Sequence, residues 1–159
     1  MVGLRTASLS LLLLGLSCAT AHSQPAVPSQ AETEPEVRLL DGTRVPWSSL
    51  LESQGGTLVV FATLWCEVCR RERPAVEVWA RAQHELRRTV YVFSGGELAK
   101  ATDQIRALHL DTSALTVVVD ADGRLADHYA VQTTPTLLWL GTQGQVLSTH
   151  HRFAAAERE

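Results

Sequence analysis

The chain has 159 residues, of which 45% are apolar and 19% are charged, and its formal net charge at pH 7 is −3. This length suits one globular domain with appendages and is too short for two domains that each have a substantial core. The slightly acidic balance is not that of a nucleic-acid-binding protein, so we expect no nucleic acid among the partners.

Residues 1–21 have the pattern of an export signal. Arg5 gives a basic start, Leu9 to Leu16 form a short apolar stretch, and Ala19-Thr20-Ala21 matches the small residues at which signal peptidase cuts. We therefore predict that residues 1–21 are a signal peptide and that the protein is exported, to the periplasm or the cell envelope.

Two alternatives for this segment stay open. The first is an uncleaved membrane anchor, although the 16 uncharged residues from Thr6 to Ala21 are fewer than a membrane-spanning helix usually needs. The second is lipid attachment at Cys18, where Gly15 stands in the position of the leucine in a bacterial lipobox. Either would tether the protein to a membrane.

Residues 22–36 are predicted to be a flexible linker. They contain three prolines, several small polar residues and no bulky apolar residue except Val27. They therefore cannot bury enough apolar surface to order themselves. The globular domain is predicted to cover residues 37–159, and a linker before it suits a domain held near a membrane.

The domain begins with a predicted β-hairpin and a short helix. Residues 37–40 and 43–45 flank Asp41-Gly42, a pair that suits a two-residue hairpin turn. Ser49, followed three residues later by Glu52, is a capping box that predicts a short helix.

A strand and a long helix follow. Residues 58–65 are apolar, rich in β-branched side chains and uncharged, which predicts a central strand buried on both faces. Residues 66–88 have apolar residues at roughly helical spacing, with Pro74 as an expected kink or start of a new turn.

The rest of the chain continues the alternation of strands and helices. The predicted elements are a strand at 90–93, a helix at 97–110, a strand at 115–119, a turn at 120–123, a short helical link at 125–130, and strands at 136–140 and 145–149. The order β-α-β-α-β followed by a hairpin predicts an α/β fold with a mixed central sheet flanked by helices.

Two cysteines carry the predicted chemistry. Cys66 lies where the strand passes into the helix, close to unpaired backbone amides and the positive end of the helix dipole, and both favour the thiolate. Cys69 follows one helical turn later and can resolve a mixed disulfide by attacking Cys66. We predict that Cys66 is the nucleophile and that Cys69 is the resolving thiol.

A structural disulfide and half of a metal site are the alternatives for this pair. A disulfide that closes so short a loop restrains the unfolded chain little, and His84 and His109 do not stand at finger-like spacing. Removal of residues 1–21 would leave only two cysteines, too few for a disulfide scaffold or a four-cysteine zinc site. We expect neither a metal nor a cofactor.

Thr134-Pro135 is a second feature with a predicted role. The proline lies just before the predicted strand 136–140, where it would remove a ladder hydrogen bond unless its position is special. A cis bond between Thr134 and Pro135 would turn the chain back beside the two cysteines.

With these motifs the sequence resembles the thioredoxin superfamily, and within it the TlpA-like exported reductases that include the cytochrome c maturation thioredoxins. The residues that carry the resemblance are Phe61 to Pro74, Asp120 to Gly123, and Thr134 to Thr136. The resemblance covers about residues 37–150 and implies a thioredoxin-like fold.

The resemblance also implies roles for residues around the cysteines. In such proteins the cis-proline loop is part of the substrate surface, so Thr134 and Pro135 are expected to contact substrate. An acid three residues after the second cysteine often lies near the thiols, and Glu72 matches it. Glu72, Glu67 or water would take the proton of Cys69, and the alternative for both glutamates is a solvated position on the helix.

Trp65 is expected to cover the disulfide as an apolar lid, with core packing as its alternative. Two features of the sequence depart from the pattern of the group. Val68 stands where many relatives have proline, and only six residues follow Phe153, so the C-terminal helix is expected to be shortened or absent.

The predicted function is the reduction of disulfides in exported proteins by the Cys66–Cys69 couple, with electrons from a membrane partner. The alternatives are a disulfide oxidase or isomerase with the same residues, and a non-catalytic thioredoxin-fold binding or assembly module.

Thr63, three residues before Cys66, also resembles the peroxiredoxin motif. Val59 stands where that motif has proline, so no peroxidase activity is expected.

Overall fold

A computed structural model describes residues 34–82, 88–95 and 98–156 of the chain. The predicted signal peptide and residues 22–33 of the predicted linker lie outside the described residues. Among the residues that the structure describes, no helix has the length and apolar character that a membrane span requires.

The described residues form a mixed sheet of seven strands. The strands are β1 (Glu36–Leu39), β2 (Arg44–Pro46), β3 (Thr57–Ala62), β4 (Arg88–Ser94), β5 (Thr116–Asp120), β6 (Thr136–Leu140) and β7 (Val146–His150). Their order across the sheet is β2-β1-β5-β4-β3-β6-β7. The neighbours β3, β4 and β5 are parallel, and every other pair in the sheet is antiparallel. The predicted mixed sheet is confirmed.

Helices cover both faces of this sheet. They are α1 (Glu67–Ala82), α2 (Leu98–Ala107), α3 (Arg124–His128) and α4 (Phe153–Ala156), with a 3₁₀ helix at Trp47–Leu50. Buried residues of α1, α2 and α4 pack on one face, and those of α3 and the 3₁₀ helix pack on the other. The described part of α4 has four residues, and residues 157–159 lie outside the described residues.

Strand β3 lies at the centre of the core and supports the cysteines. All six of its residues are buried. Val60 and Ala62 face α1, while Val59 and Phe61 face the opposite side, because neighbouring side chains of a strand point to opposite faces. Burial of each large apolar side chain contributes about 1.5–3 kcal/mol. The buried strand therefore fixes the position of its own end, from which the chain continues to Cys66.

The end of this strand was predicted too late in the chain. β3 stops at Ala62, and Leu64 and Trp65 form a turn. The apolar sequence is longer than the strand. β3 pairs with β6 only as far as Phe61, because the partner of Phe61 is Thr136, the first residue of β6.

The helix after it agrees with the prediction over its described length. Pro74 lies inside α1 and does not end it. Residues 83–87 of the predicted helix lie outside the described residues, and Arg88 is the first residue of β4 rather than the last of the helix. The bounds of the later elements differ from the predicted ones by three residues or fewer.

The capping box predicted at Ser49 and Glu52 is wrong. The short helix is the 3₁₀ helix, which begins at Trp47, and Pro46 precedes it without a side-chain cap. Ser49 lies inside this helix, and its hydroxyl donates to the carbonyl of Pro46 at 2.7 Å. Trp47 is only 3% exposed, so burial of the indole places the helix, and this tertiary contact overrides the local capping pattern.

The predicted hairpin is confirmed, with a wider turn. β1 and β2 are antiparallel, and the backbone N–H of Leu39 donates to the carbonyl of Thr43 at 2.8 Å. Gly42 has φ +94°, a left-handed conformation that glycine adopts without a steric cost. The Asp41 carboxylate accepts from the N–H of Thr43 at 2.8 Å, so the turn spans more than the two predicted residues.

The last residues of the predicted linker lie against the domain. The carbonyl of Pro35 accepts from the backbone N–H of Trp47 at 2.9 Å, and the Glu34 carboxylate accepts from that of Ser48 at 2.7 Å. Glu36 is the first residue of β1. The extent of a linker before Glu34 stays a prediction.

Candidate active site

Cys66 lies directly before α1, at the carboxyl end of β3. Its backbone N–H donates to the carbonyl of Thr63 at 3.2 Å, and its own carbonyl accepts from Arg70 at 3.1 Å, within the first turn of α1. The N–H of Cys69 points to the sulfur of Cys66 across 3.1 Å. The sulfur thus takes the position that a Ser or Asp oxygen takes at a helix N-cap. After reduction, a thiolate there would accept the same hydrogen bond and lie at the positive end of the helix dipole.

Cys66 and Cys69 form a disulfide, with their Cα atoms 5.2 Å apart. Cys69 is 4% exposed, whereas Cys66 is partly exposed. Cys66 is therefore the more exposed cysteine of the pair. This difference supports the predicted roles of nucleophile for Cys66 and resolving thiol for Cys69.

The loop before β6 lies beside the disulfide. The Thr134–Pro135 peptide bond is cis, as predicted, and the carbonyl oxygen of Thr134 lies 3.6 Å from the sulfur of Cys66. The hydroxyls of Thr134 and Thr63 lie 3.5 Å apart. The structure therefore brings the two motifs together, as the sequence analysis expected of a cis bond at this position.

Trp65 lies on the surface, one residue before Cys66. It is 68% exposed, which excludes core packing, the alternative that the sequence had left open. Its ring lies beside Gly95, the residue after β4, where an added Cβ would be 3.6 Å from Cη2 of the indole. The exposed indole offers an apolar surface one residue before Cys66.

Glu72 contacts the C-terminal segment. One carboxylate oxygen accepts from the guanidinium of Arg152 at 3.2 Å, and the other accepts from the backbone N–H of Phe153 at 3.0 Å. Glu72 therefore caps the start of α4, a role that the sequence did not indicate. Its role as proton acceptor for Cys69 stays a prediction.

Comparison with known proteins places this geometry in a family. The model of the AhpC/TSA family matches residues 28–149. The chain belongs to that family. It is 30% identical over 135 residues to the thioredoxin-like protein YneN of Bacillus subtilis (strain 168), and the match covers 76% of this chain and 77% of YneN.

Solved structures show the same fold. A secreted disulfide oxidoreductase of Mycobacterium tuberculosis, homologous to DsbE of E. coli, is 20% identical, with a TM-score of 0.60 over 75% of this chain and 84% of that one. The exposed lipoprotein thioredoxin of Streptococcus pneumoniae strain TIGR4 is 24% identical, with a TM-score of 0.62 over 76% and 90%. The predicted thioredoxin-like fold is confirmed. The protein is a thioredoxin-like member of the AhpC/TSA family with the CxxC pair of a thiol–disulfide oxidoreductase.

The described residues show no obvious place for a metal in this family member. Within residues 34–82, 88–95 and 98–156, no three His, Cys, Asp or Glu side chains come together as ligands. The arrangement at Cys66 and Cys69 suits sulfur exchange, which needs an accessible sulfur, a second thiol and a path for protons.

The sequence analysis missed a small cavity beside Cys69. Its volume is about 10 Å³, and Arg73 of α1 and Tyr91 of β4 are among its lining residues. Burial raises the pKa of Tyr91 far above its ordinary value, so its phenol stays neutral. Arg73 stands four residues after Cys69, and this spacing, which places both on one helix face, was the signal that could have found it.

Proposed function

We propose that the protein reduces disulfides of exported proteins by thiol–disulfide exchange at Cys66 and Cys69. The observation that carries the proposal is the partly exposed Cys66, whose sulfur lies between the start of α1 and the carbonyl of Thr134 and is bonded to the buried Cys69.

The exchange takes two displacements. In the reduced protein the Cys66 thiolate attacks one sulfur of a substrate disulfide, and the other substrate sulfur leaves as a thiolate and takes a proton from water. Cys69 then loses its proton and attacks the Cys66 sulfur, which releases the second substrate thiolate. Two electrons pass from the protein to the substrate, and the protein is left with the Cys66–Cys69 disulfide that the structure contains.

An exported location is part of this proposal. Residues 1–21 have the pattern of a signal peptide, and two proteins with the same fold are described as secreted and as an exposed lipoprotein. The resemblance to TlpA-like proteins and the cytochrome c maturation thioredoxins favours the reducing direction. A reductase outside the cytoplasm needs a supply of electrons, and we propose a membrane protein as the donor and a membrane tether for this chain.

The substrate surface is proposed to consist of Trp65, Thr134 and Pro135. The carbonyl oxygen of Thr134 lies 3.6 Å from the Cys66 sulfur, and Trp65, one residue before Cys66, is 68% exposed. An extended segment that brings a disulfide to Cys66 would pass over these residues.

Replacing Trp65 with alanine is expected to raise the KM for a disulfide-bonded peptide about fivefold and to leave kcat nearly unchanged. An aromatic contact contributes about 1 kcal/mol to binding, and an interaction made equally in the ground state and the transition state changes KM alone. Steady-state kinetics checks this. Val78→Ala is the matched control, since Val78 is 62% exposed and lies on α1 nine residues beyond Cys69. An equal effect of both variants would contradict a contact at Trp65.

The direction of electron flow is tested by the equilibrium reduction potential of the Cys66–Cys69 pair. The full chain with Cys18→Ser is equilibrated with glutathione or dithiothreitol buffers. A potential near or below that of thioredoxin, about −270 mV, supports a reductase, whereas a potential near about −120 mV indicates an oxidase. A pair with no reversible thiol chemistry would contradict the proposed function altogether.

A further inference from the structure

We propose that Arg73 is a positioning residue for the release of substrate: its guanidinium, held next to the cavity beside Cys69, stabilises the Cys69 thiolate, and Glu77 partly offsets this charge. The inference rests on the proposed function, because a resolving thiolate matters only if Cys66 forms mixed disulfides. Arg73 acts through Cys69 and is not proposed to touch the substrate.

Arg73 lies on the same face of α1 as Cys69. Residues four apart lie on the same face of a helix, and long helical side chains lean toward the N-terminus of the helix. Both residues line the cavity of about 10 Å³. Cys69 is 4% exposed and the Arg73 side chain is 25% exposed, so solvent screens the interaction between the guanidinium and the sulfur less than it would between two fully exposed groups.

The guanidinium is held in place by two contacts. One terminal nitrogen donates to the carbonyl of Leu108 at 3.2 Å. The Nε atom lies 3.4 Å from a carboxylate oxygen of Glu77, and the two side chains are 25% and 16% exposed. Both of these atoms are buried, and neither makes a hydrogen bond within the described part of the chain. The two side chains therefore form an ion pair without a close hydrogen bond.

The two charged residues that line the cavity together with Cys69 are both arginines. Arg70 and Arg73 of α1 line the cavity, Tyr91 of β4 stays neutral because burial raises its pKa, and no lining residue carries a carboxylate. Arg70 is exposed to solvent, so its effect is more strongly screened. Glu67, two residues before Cys69, is exposed, and Glu72, three residues after it, binds the start of α4. Arg73 is thus the cation with the largest expected effect on Cys69.

This charge matters because burial alone makes Cys69 a poor nucleophile. Cys69 is 4% exposed, and removal from water disfavours the charged thiolate. In the release step the Cys69 thiol gives its proton to water, its sulfur attacks the Cys66 sulfur, and the substrate sulfur leaves with the electron pair. A nearby guanidinium raises the fraction of Cys69 that is deprotonated at a given pH.

The test is the pKa of Cys69 in the reduced full chain with Cys18→Ser, followed by NMR of ¹³Cβ-labelled cysteine over pH. A Cys66→Ser sample assigns the two signals. The variants are Arg73→Met and Glu77→Gln. Arg71→Met is the matched control, because it removes the same charge from an exposed position on the same helix.

We expect Arg73→Met to raise the pKa of Cys69 by about 1 and Glu77→Gln to lower it by about half as much, while Arg71→Met leaves it within about 0.2. The opposite signs are the decisive feature. Both variants break the same ion pair, so a purely structural effect of its loss would move the pKa in one direction.

The rate of substrate release should fall by a smaller factor than the rise in the pKa of Cys69 alone would give. A pKa higher by 1 lowers the thiolate fraction about tenfold below the pKa, but it also makes the remaining thiolate about threefold more nucleophilic. The rate of release in Arg73→Met is therefore expected to fall about three- to fourfold at pH 7.

Two results would overturn the inference: a pKa of Cys69 that does not rise in Arg73→Met, or a shift in the same direction for both variants. Should Arg73→Met fail to fold, Glu77→Gln decides alone, since an unchanged or raised pKa contradicts the proposal. Failure of the proposed function shows separately, as an unaltered chain that does not exchange its disulfide with glutathione.

Discussion

Replacing Cys66 with serine is expected to lower the rate of disulfide exchange more than about 1000-fold, because the nucleophile of the first step is lost. Replacing Cys69 with serine is expected to have a different result. The variant should still form a mixed disulfide through Cys66, which is the more exposed cysteine of the pair, but it should not release it, since no second thiol can attack.

Both outcomes are read from one experiment with a disulfide-bonded peptide. Mass spectrometry of the quenched reaction shows the trapped adduct, and free thiol shows the turnover. Cys18→Ser is the control, since Cys18 lies in the predicted signal peptide, and it should exchange at the rate of the unaltered chain. Full biological function in the Cys66→Ser protein would instead indicate a binding or assembly module that does not use its thiols.

Replacing Asp120 with alanine is expected to lower the free energy of unfolding by about 3 kcal/mol. Asp120 ends β5, is 5% exposed, and accepts from the backbone N–H groups of Leu125 and Ala126 at 3.0 Å each and from the hydroxyl of Ser94 at 3.1 Å. Hydrogen bonds to a charged group contribute about 1.5–3 kcal/mol each, and a buried donor left without an acceptor is costly. The carboxylate also lies at the start of α3, where negative charge is favourable.

Urea denaturation followed by circular dichroism measures this loss as a lower midpoint with an unchanged slope. Asp122→Ala is the matched control. Asp122 is exposed, and its carboxylate accepts from the N–H of Arg124 at 3.4 Å, so its removal should change stability by less than about 0.5 kcal/mol. Equal losses in the two variants would mean that Asp120 does not hold α3 and β4 to the end of β5.

The sequence predicted those parts of the site that depend on neighbours along the chain. The uncharged β-branched run before Cys66 indicates a buried strand, and β3 has all of its residues buried. The spacing of Cys66 and Cys69 is one helical turn, and the structure places them at the start of α1 in a disulfide. Gly42 after an aspartate indicates a turn, and it has the expected positive φ. Each of these signals is local, because backbone conformation and side-chain periodicity are set within a few residues.

Contacts between distant segments were not predictable in the same way. The capping pattern at Ser49 was overridden by the burial of Trp47, whose indole N–H donates to the hydroxyl of Tyr129, 82 residues away, at 2.7 Å. The carboxylate of Glu72 binds Phe153, 81 residues away. No local pattern identifies such partners, since they meet only when the sheet has assembled.

The chain by itself thus determined the cysteine pair and the type of fold, because a CxxC between a buried strand and a helix is a local pattern with a chemical meaning, and the order in which the two thiols act stays a prediction. Only the tertiary structure decided which cysteine is the more exposed, that Trp65 is exposed rather than buried, and that Arg73 lines the cavity next to Cys69. The reason is that exposure and electrostatic environment depend on what the other strands and helices place around a residue, and the spacing of residues along the chain does not contain that information.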